Sequence, residues 1–316
     1  MKVSVILCTY NRAEMLAAAL ECIARQSPPL SGDWEIVVVN NNSTDRTSAV
    51  VEEIGRRYPG RFSYVFEGEQ GLSHARNAGI RAAHGEILVF VDDDVRVTPF
   101  WLARLSASLE DPSYAGAGGR ILPDWACQPP TWLTIDGRYS LAPFAVFDLG
   151  DGAGALNEPP MGANMAYRKS IFDRYGGFRT DLGRCGSGML SNEDTEFGRR
   201  LLKAGERLRY EPEAVVYHPV TPERLSKRYL LNWWYGKGRS EIREHGPRLG
   251  ARYFIGGVPL YLIRHLARWA ACWLFSPSAR RRFQYKLIVW GKLGEIAECY
   301  GAARLQAGAP GQEALS

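Results

Sequence analysis

The apolar run Ile87-Leu88-Val89-Phe90-Val91 stops at three consecutive carboxylates, Asp92-Asp93-Asp94, and this junction constrains the fold more than any other stretch. Glu86–Val91 reads as a buried strand, because the run is short and rich in branched and aromatic residues. A buried strand that ends in charge ends at a sheet edge, and open α/β sheets bind ligands at the carboxyl ends of their strands. Three adjacent negative charges repel one another and give up solvation unless a cation sits among them. Side chains alternate along a strand, so Asp92 and Asp94 are expected on one side and Asp93 on the other. Two carboxylates on one side suit a hard divalent cation, Mg²⁺ or Mn²⁺, which also takes substrate phosphates as ligands. A solvated turn after a strand would show the same triplet, so the rest of the chain must decide.

The flanking sequence alternates strand and helix. Val3–Cys8 reads as a strand that passes through Thr9-Tyr10-Asn11 into a helix over Ala13–Gln26, broken by Pro28, Pro29, Ser31 and Gly32. A strand over Glu35–Val39 ends in Asn40-Asn41-Asn42-Ser43-Thr44-Asp45, a run suited to turn and cap, before a helix over Thr47–Tyr58. Tyr64–Phe66 is a short strand, and Gly71–Ala83 is a helix opened by glycine. This alternation implies an α/β fold with a parallel sheet and right-handed crossovers. The Pro- and Gly-rich stretch Pro123–Pro160 reads as a loop-rich excursion over the active face.

The net charge of +5 hides a split. Residues 1–223 carry 23 Lys/Arg against 29 Asp/Glu, whereas residues 224–304 carry 16 Lys/Arg against 4 Asp/Glu. A mildly acidic body joined to a basic segment suggests contact with an anionic surface. No helix-turn-helix, zinc-finger or RNA-binding pattern accompanies the charge, so nucleic acid is not an expected partner. Six scattered cysteines without a CxxC pair suit a reducing cytosol, and the apolar start at Val3–Cys8 is too short for a signal-peptide core.

Several motifs stand in order: Val3–Arg12, Val37–Asp45, Gly71-Leu72-Ser73-His74-Ala75-Arg76-Asn77-Ala78-Gly79, the aspartate triplet, and Ser191-Asn192-Glu193-Asp194-Thr195-Glu196-Phe197. Together they resemble the family 2 glycosyltransferases of the GT-A fold, over roughly residues 1–220. The resemblance implies a Rossmann-like mixed sheet and an inverting, metal-dependent transfer of sugar from a nucleotide-diphosphate donor to a hydroxyl of a glycan or lipid-linked acceptor. It places Thr9, Tyr10, Asn11, Asn41, Arg76, Asp92 and Asp93 at the donor, with Arg76 as a diphosphate contact and Asn41 where the family commonly has a base-binding aspartate. It assigns Asp92, Asp94 and His218 to the metal, and Asp194 to the general base with Glu193 beside it. Pro159-Pro160-Met161-Gly162-Ala163-Asn164-Met165 resembles the small-residue segment that admits donor and acceptor, and Gly176-Gly177-Phe178 resembles the turn before the base loop.

The residues alone leave other readings open. Glu193 and Asp194 also suit the first turn of a helix, where acids meet the positive end of the dipole. Val91-Asp92-Asp93-Asp94-Val95 also fits the nucleophile signature of haloacid-dehalogenase-like phosphatases, although a later Gly-Asp-x-x-x-Asp motif is missing. A non-catalytic, membrane-associated GT-A scaffold is a third reading.

Tyr253–Phe275 is strongly apolar but carries Arg264, His265 and Arg268 in its middle. Each arginine at a bilayer centre costs about 2.5–3.5 kcal/mol on insertion scales, so a helix lying in the interface is expected instead of a span. Arg280-Arg281-Arg282 and the aromatic residues Trp233, Trp234, Tyr235, Trp269 and Trp290 would reinforce docking on an anionic membrane surface. The expected organisation is a catalytic domain over 1–223, a basic helical segment over 224–304 and a flexible tail over 305–316. The enzyme would be cytoplasmic and peripheral on the inner face of the cell membrane.

Overall fold

The computed structural model describes residues 2–26, 34–135, 138–247 and 251–308. The chain forms two units: Met1–Gln128, Asp136–Ser187 and Glu193–Pro222 make the first, and Pro129–Ile135, Gly188–Asn192 and the chain from Glu223 onward make the second.

In the first unit β1 (Val3–Thr9) leads into α1 (Ala13–Ala24), β2 (Trp34–Asn40) into α2 (Thr47–Arg57), and β3 (Phe62–Phe66) into α3 (Leu72–Ala82). β4 (Ile87–Asp92), β5 (Arg96–Val97), α4 (Trp101–Ala107) and the long β6 (Tyr114–Trp125) follow. α5 (Arg138–Leu141), β7 (Gly154–Leu156), β8 (Asn164–Arg168), α6 (Lys169–Tyr175), α7 (Glu193–Lys203) and β9 (Arg207–Val220) complete it. The strands form one sheet in the order β3-β2-β1-β4-β8-β6-β9-β5, with β7 against β9. β1 to β4 are parallel, β8 runs antiparallel to β4 and β6, and β6 is again parallel to β9. The sheet is therefore mixed. β2 buries every residue and β1 nearly every one, which is why these strands read as unbroken apolar runs instead of alternating ones.

The turns after β1 and β2 are fastened to each other. Asp45 accepts from the N–H groups of Ala13 and Thr47, both at 3.0 Å, and so caps α1 and α2 together. Asn11 sits in the left-handed region at φ 51° and accepts from the Thr44 N–H at 2.7 Å.

Some boundaries differ from those the sequence suggests. α1 ends at Ala24, and Pro28, Pro29, Ser31 and Gly32 lie outside the described residues. The stretch Pro123–Pro160 is less irregular than its composition implies. β6 continues to Trp125 because Arg120–Trp125 pair with Val215–Val220 of β9, and β7 adds a short strand. Phe144 and Phe147 of the same stretch are fully buried.

In the second unit α8 (Lys227–His245) precedes a hairpin of β10 (Phe254–Ile255) and β11 (Val258–Pro259), then α9 (Leu260–Phe275) and α10 (Ala279–Gly308). Ser226 caps α8 by accepting from the Tyr229 N–H at 3.1 Å. α8 and α10 touch backbone to backbone: a Cβ on Gly238 would lie 2.0 Å from the Gly291 carbonyl oxygen, and one on Gly294 2.0 Å from that of Tyr235. Arg239 and Arg243 both grip Glu298 across this contact. α10 runs past the expected boundary at 304 to Gly308, and residues 309–316 lie outside the described residues.

The tryptophans expected at a membrane interface are largely taken up inside this unit. Trp233 and Trp234 are buried, Trp269 packs on Tyr285 at 5.7 Å, and Trp290 meets Trp273 edge-on at 5.8 Å. They fill space between helices, and Trp269 and Trp290 stay only partly buried. Among the described residues no helix is long and apolar enough to cross a membrane.

Candidate active site

β1 and β4 lie side by side with Cys8 opposite Asp92, so the β1–α1 turn stands next to the aspartate triplet. Arg12, in that turn, is the cation the triplet requires. Its Nη1 lies 3.0 Å from Asp93 Oδ1 and 3.2 Å from Asp94 Oδ2. β4 ends at Asp92, so a turn and not the strand pleat sets the directions of Asp93 and Asp94. Asp93 is 5% exposed, and this burial pushes its carboxyl up to about 7, against the pull of Arg12.

Asp94 meets His218 at the far side of the turn. β5 follows Asp94 directly and pairs with β9 in the register Arg96↔Tyr217, which delivers the next residue of β9, His218, to the triplet. His218 Nε2 lies 3.8 Å from Asp94 Oδ1. Asp92, Asp94 and His218 each offer a ligand atom within 4.8 Å of the other two. Two hard carboxylates with one imidazole suit a divalent first-row cation or Mg²⁺.

Arg76 and Asn77 act from beneath. Arg76 is 3% exposed, so it is neither a surface arginine nor turned outward. Its Nη1 donates to Glu193 Oε1 at 2.7 Å, and its Nη2 stands 3.6 Å from Asp92 Oδ1. Asn77 donates to the Phe178 carbonyl at 2.8 Å and accepts from the Phe178 N–H at 2.9 Å, which pins the Gly176-Gly177-Phe178 turn. Phe178 in turn packs with Phe172 and Phe197 under α7, the helix opened by Glu193 and Asp194.

The acidic pair at that helix start divides in environment. Glu193 is buried, and desolvation together with the neighbouring Asp194 pushes its carboxyl up to about 7, with Arg76 opposing. Its Oε2 has no hydrogen-bond partner among the described residues. Asp194 is only partly buried. Its Oδ2 accepts from the Gly162 N–H at 2.6 Å and its Oδ1 from the Thr195 N–H at 2.7 Å. Gly162 is required by more than that bond, since a Cβ there would fall 2.3 Å from Arg76 Nη2.

The remaining expected donor residues lie along the β1–α1 turn and at the end of β2. Thr9 is buried, whereas Tyr10 and Asn11 are exposed. Asn41 is 4% exposed and its amide is committed to the loop 67–71. It donates to the carbonyls of Glu67 and Glu69 at 3.2 and 2.7 Å and accepts from the Gly71 N–H at 2.8 Å. Arg12 stands within the first sequence motif, yet no local signal gives it a part. The adjacency of β1 and β4 was the signal that could have placed it opposite the triplet.

The profile of the family described as "Glycosyl transferase family 2" matches residues 4–176. The chain is 27% identical to the succinoglycan biosynthesis protein ExoM of Rhizobium meliloti (strain 1021) over 94% of each chain. It is 26% identical to the glucosyl-dolichyl phosphate glucuronosyltransferase of Haloferax volcanii over 75% of each. The mannosyltransferase PcManGT from Pyrobaculum calidifontis, solved in complex with GDP-Man and Mn²⁺, superposes with a TM-score of 0.59 at 20% identity, covering 97% of this chain and 87% of that one. The fold is GT-A. The chain belongs to glycosyl transferase family 2 and is a glycosyltransferase.

Proposed function

We propose that this glycosyltransferase moves a sugar from a nucleotide-diphosphate donor to a hydroxyl of a glycan or lipid-linked acceptor, with inversion, in surface polysaccharide or glycolipid assembly. The observation that carries the reading is the convergence of Asp92, Asp94 and His218 within 4.8 Å at the end of β4. A Mg²⁺ or Mn²⁺ ion held there would supply Lewis-acid neutralisation of the departing diphosphate. The PcManGT complex, with its Mn²⁺ and GDP-Man, supports both the cation and the donor class for this chain.

The chain's own residues do the rest. Tyr10 and Asn11 line the donor side, and Thr9, Asn41 and Arg76 support it from below. Asp93, drawn onto Arg12, keeps the triplet turn in place. Asp194 takes the proton of the acceptor hydroxyl as that oxygen attacks the anomeric carbon. The backbone N–H groups of Gly162 and Thr195 orient its carboxylate. Glu193, engaged by Arg76, positions α7 and its neighbour.

The basic second unit would face an anionic membrane surface, which makes the enzyme peripheral on the cytoplasmic face of the cell membrane. The excess of Lys/Arg over residues 224–304 supports this.

A panel of nucleotide sugars with Mg²⁺ or Mn²⁺ tests the catalytic reading. Release of nucleoside diphosphate that chelation abolishes, and a product of inverted anomeric configuration by NMR, are the expected results. Retention of configuration would remove Asp194 from its role, and release of phosphate from monoesters instead would restore the phosphatase reading.

A further inference from the structure

We infer that the corner between α9 and α10 is a membrane anchor, in which Leu274 and Phe275 enter the apolar layer of an anionic leaflet while Arg264, Arg268, Arg281 and Arg282 engage the surrounding phosphates. The inference rests on the membrane-facing reading of the second unit and names the part that makes contact.

The two faces of α9 have different fates. Leu262 on the inner side is fully buried, and Trp269 and Trp273 are held by Tyr285 and Trp290 of α10. The exposed positions are Arg264, Ala267, Arg268, Ala271, Leu274 and Phe275. Their spacing of three and four residues places them on one stripe. The stripe is basic in its middle, small beyond that, and apolar at its end. Leu274 is 64% exposed and Phe275 83%. Arg281 and Arg282, also exposed, follow directly after the corner.

Charge identifies what covers this surface. No Asp or Glu occurs between Glu244 and Glu295, a stretch that holds all four of these arginines. A second copy would present the same positive face and repel it. An anionic bilayer supplies both complements at once, phosphate oxygens for the guanidinium groups and hydrocarbon for Phe275. α9, with 16 residues, spans roughly 24 Å at about 1.5 Å per residue, short of a hydrocarbon core of about 30 Å. It therefore lies along the surface and is anchored at its end.

The test uses the full chain with vesicles of phosphatidylcholine, alone or mixed with phosphatidylglycerol, and reads binding by flotation. Wild type is expected to bind the mixed vesicles and not the neutral ones. Leu274→Ser combined with Phe275→Ser should weaken binding about tenfold or more, and Phe275→Trp should retain it. Arg281→Gln with Arg282→Gln should weaken binding and flatten its dependence on salt. Donor hydrolysis in solution should be unchanged in every variant, which also reports that each has folded. Wild type that ignores anionic vesicles overturns the membrane-facing reading and the anchor together. Wild type that binds, with the double serine variant binding equally well, overturns the anchor alone. A dimer in light scattering that the serine variant dissociates, without vesicle binding, would assign the corner to a second copy and overturn the proposal.

Discussion

Arg76 and Glu193 form a buried ion pair at 2.7 Å, and the same guanidinium reaches within 3.6 Å of Asp92. One cation thus ties the end of β4 to the start of α7, two elements far apart in the chain. A charge withdrawn from water is costly, and removal of either partner leaves the other uncompensated. The pair is better understood as a fixed strut between the acidic cluster and Asp194 than as a freely moving ligand contact.

Replacement of the strut should therefore be expensive. Arg76→Met is expected to lower unfolding stability by about 3–5 kcal/mol, the usual cost of orphaning a buried charge. Glu193→Gln should cost less, because the amide oxygen can still accept from Nη1. Urea titration of both variants checks the order, and an equal loss would show that the two groups are not acting as a pair.

Glu193 also gives stability a pH dependence. Its folded carboxyl is pushed up to about 7 from an ordinary value of 4.5, so the folded state holds this proton more tightly than the unfolded one. Its contribution is fully present below about 4.5 and is lost as pH rises through about 7. In Glu193→Gln the stability curve, measured in chelator, should lose part of its decline across that window. An unchanged slope would mean that Glu193 does not titrate there.

Asp94 stands 3.8 Å from His218 and is proposed to hold the cation. Asp94→Asn is expected to abolish turnover and metal-dependent nucleotide binding, with the circular dichroism spectrum preserved. Calorimetry of nucleotide with Mn²⁺ is the direct measurement, and binding at wild-type strength would exclude Asp94 from the cation site.

Asp194 accepts two backbone N–H groups, one on each oxygen. Asp194→Asn keeps one acceptor and turns an amide N–H₂ toward the other donor, so about 1–3 kcal/mol of local stability should be lost. Turnover should fall by about 10²–10⁴, the range general-base catalysis supplies, while donor affinity stays near wild type. A comparable fall in donor binding would place Asp194 against the donor instead of the acceptor.

Gly238 tests the second unit. With the Gly291 carbonyl oxygen 2.0 Å from where a Cβ would stand, Gly238→Ala must push α8 and α10 apart. Overpacking of this kind costs about 1–3 kcal/mol. Thermal unfolding should register the loss, and an unaltered transition would show that the two backbones can separate freely.

The β1-to-β4 portion of the fold was legible because β1, β2 and β4 are buried on both faces, with only the edge strand β3 half exposed, and because the helices start at turn chemistry such as Asn40–Asp45. Beyond residue 123 legibility fell. The pairing of Arg120–Trp125 with Val215–Val220 joins segments far apart in the chain, each broken by a proline, Pro123 and Pro219, so neither reveals its partner locally. The aspartate cluster could be singled out in advance because charge after an apolar run is visible locally. The contacts of Arg12 could not, since they depend on which strand lies beside β4. Arg76 was identified by its motif, but its burial arises from Gly162 and Glu193, residues distant in sequence. The tryptophans of the second unit show the same limit: composition marks them as amphipathic, and only helix packing reveals that Trp233 and Trp234 are buried while Trp269 and Trp290 are partly covered by ring contacts.

β9 supplies His218, whereas Asp92 and Asp94 come from the middle of the first unit. During synthesis the β1-to-β4 half of the sheet emerges well before this strand, and domains fold from the N-terminus as the chain is made. A ribosome-bound chain that has released β4 but not β9 would own two of the three proposed cation ligands, with the repulsion of its aspartates answered by Arg12 and Arg76. Full affinity for a cation would arrive late, when β9 threads between β6 and β5, so the finished sheet and not the nascent one would decide when the protein acquires its metal.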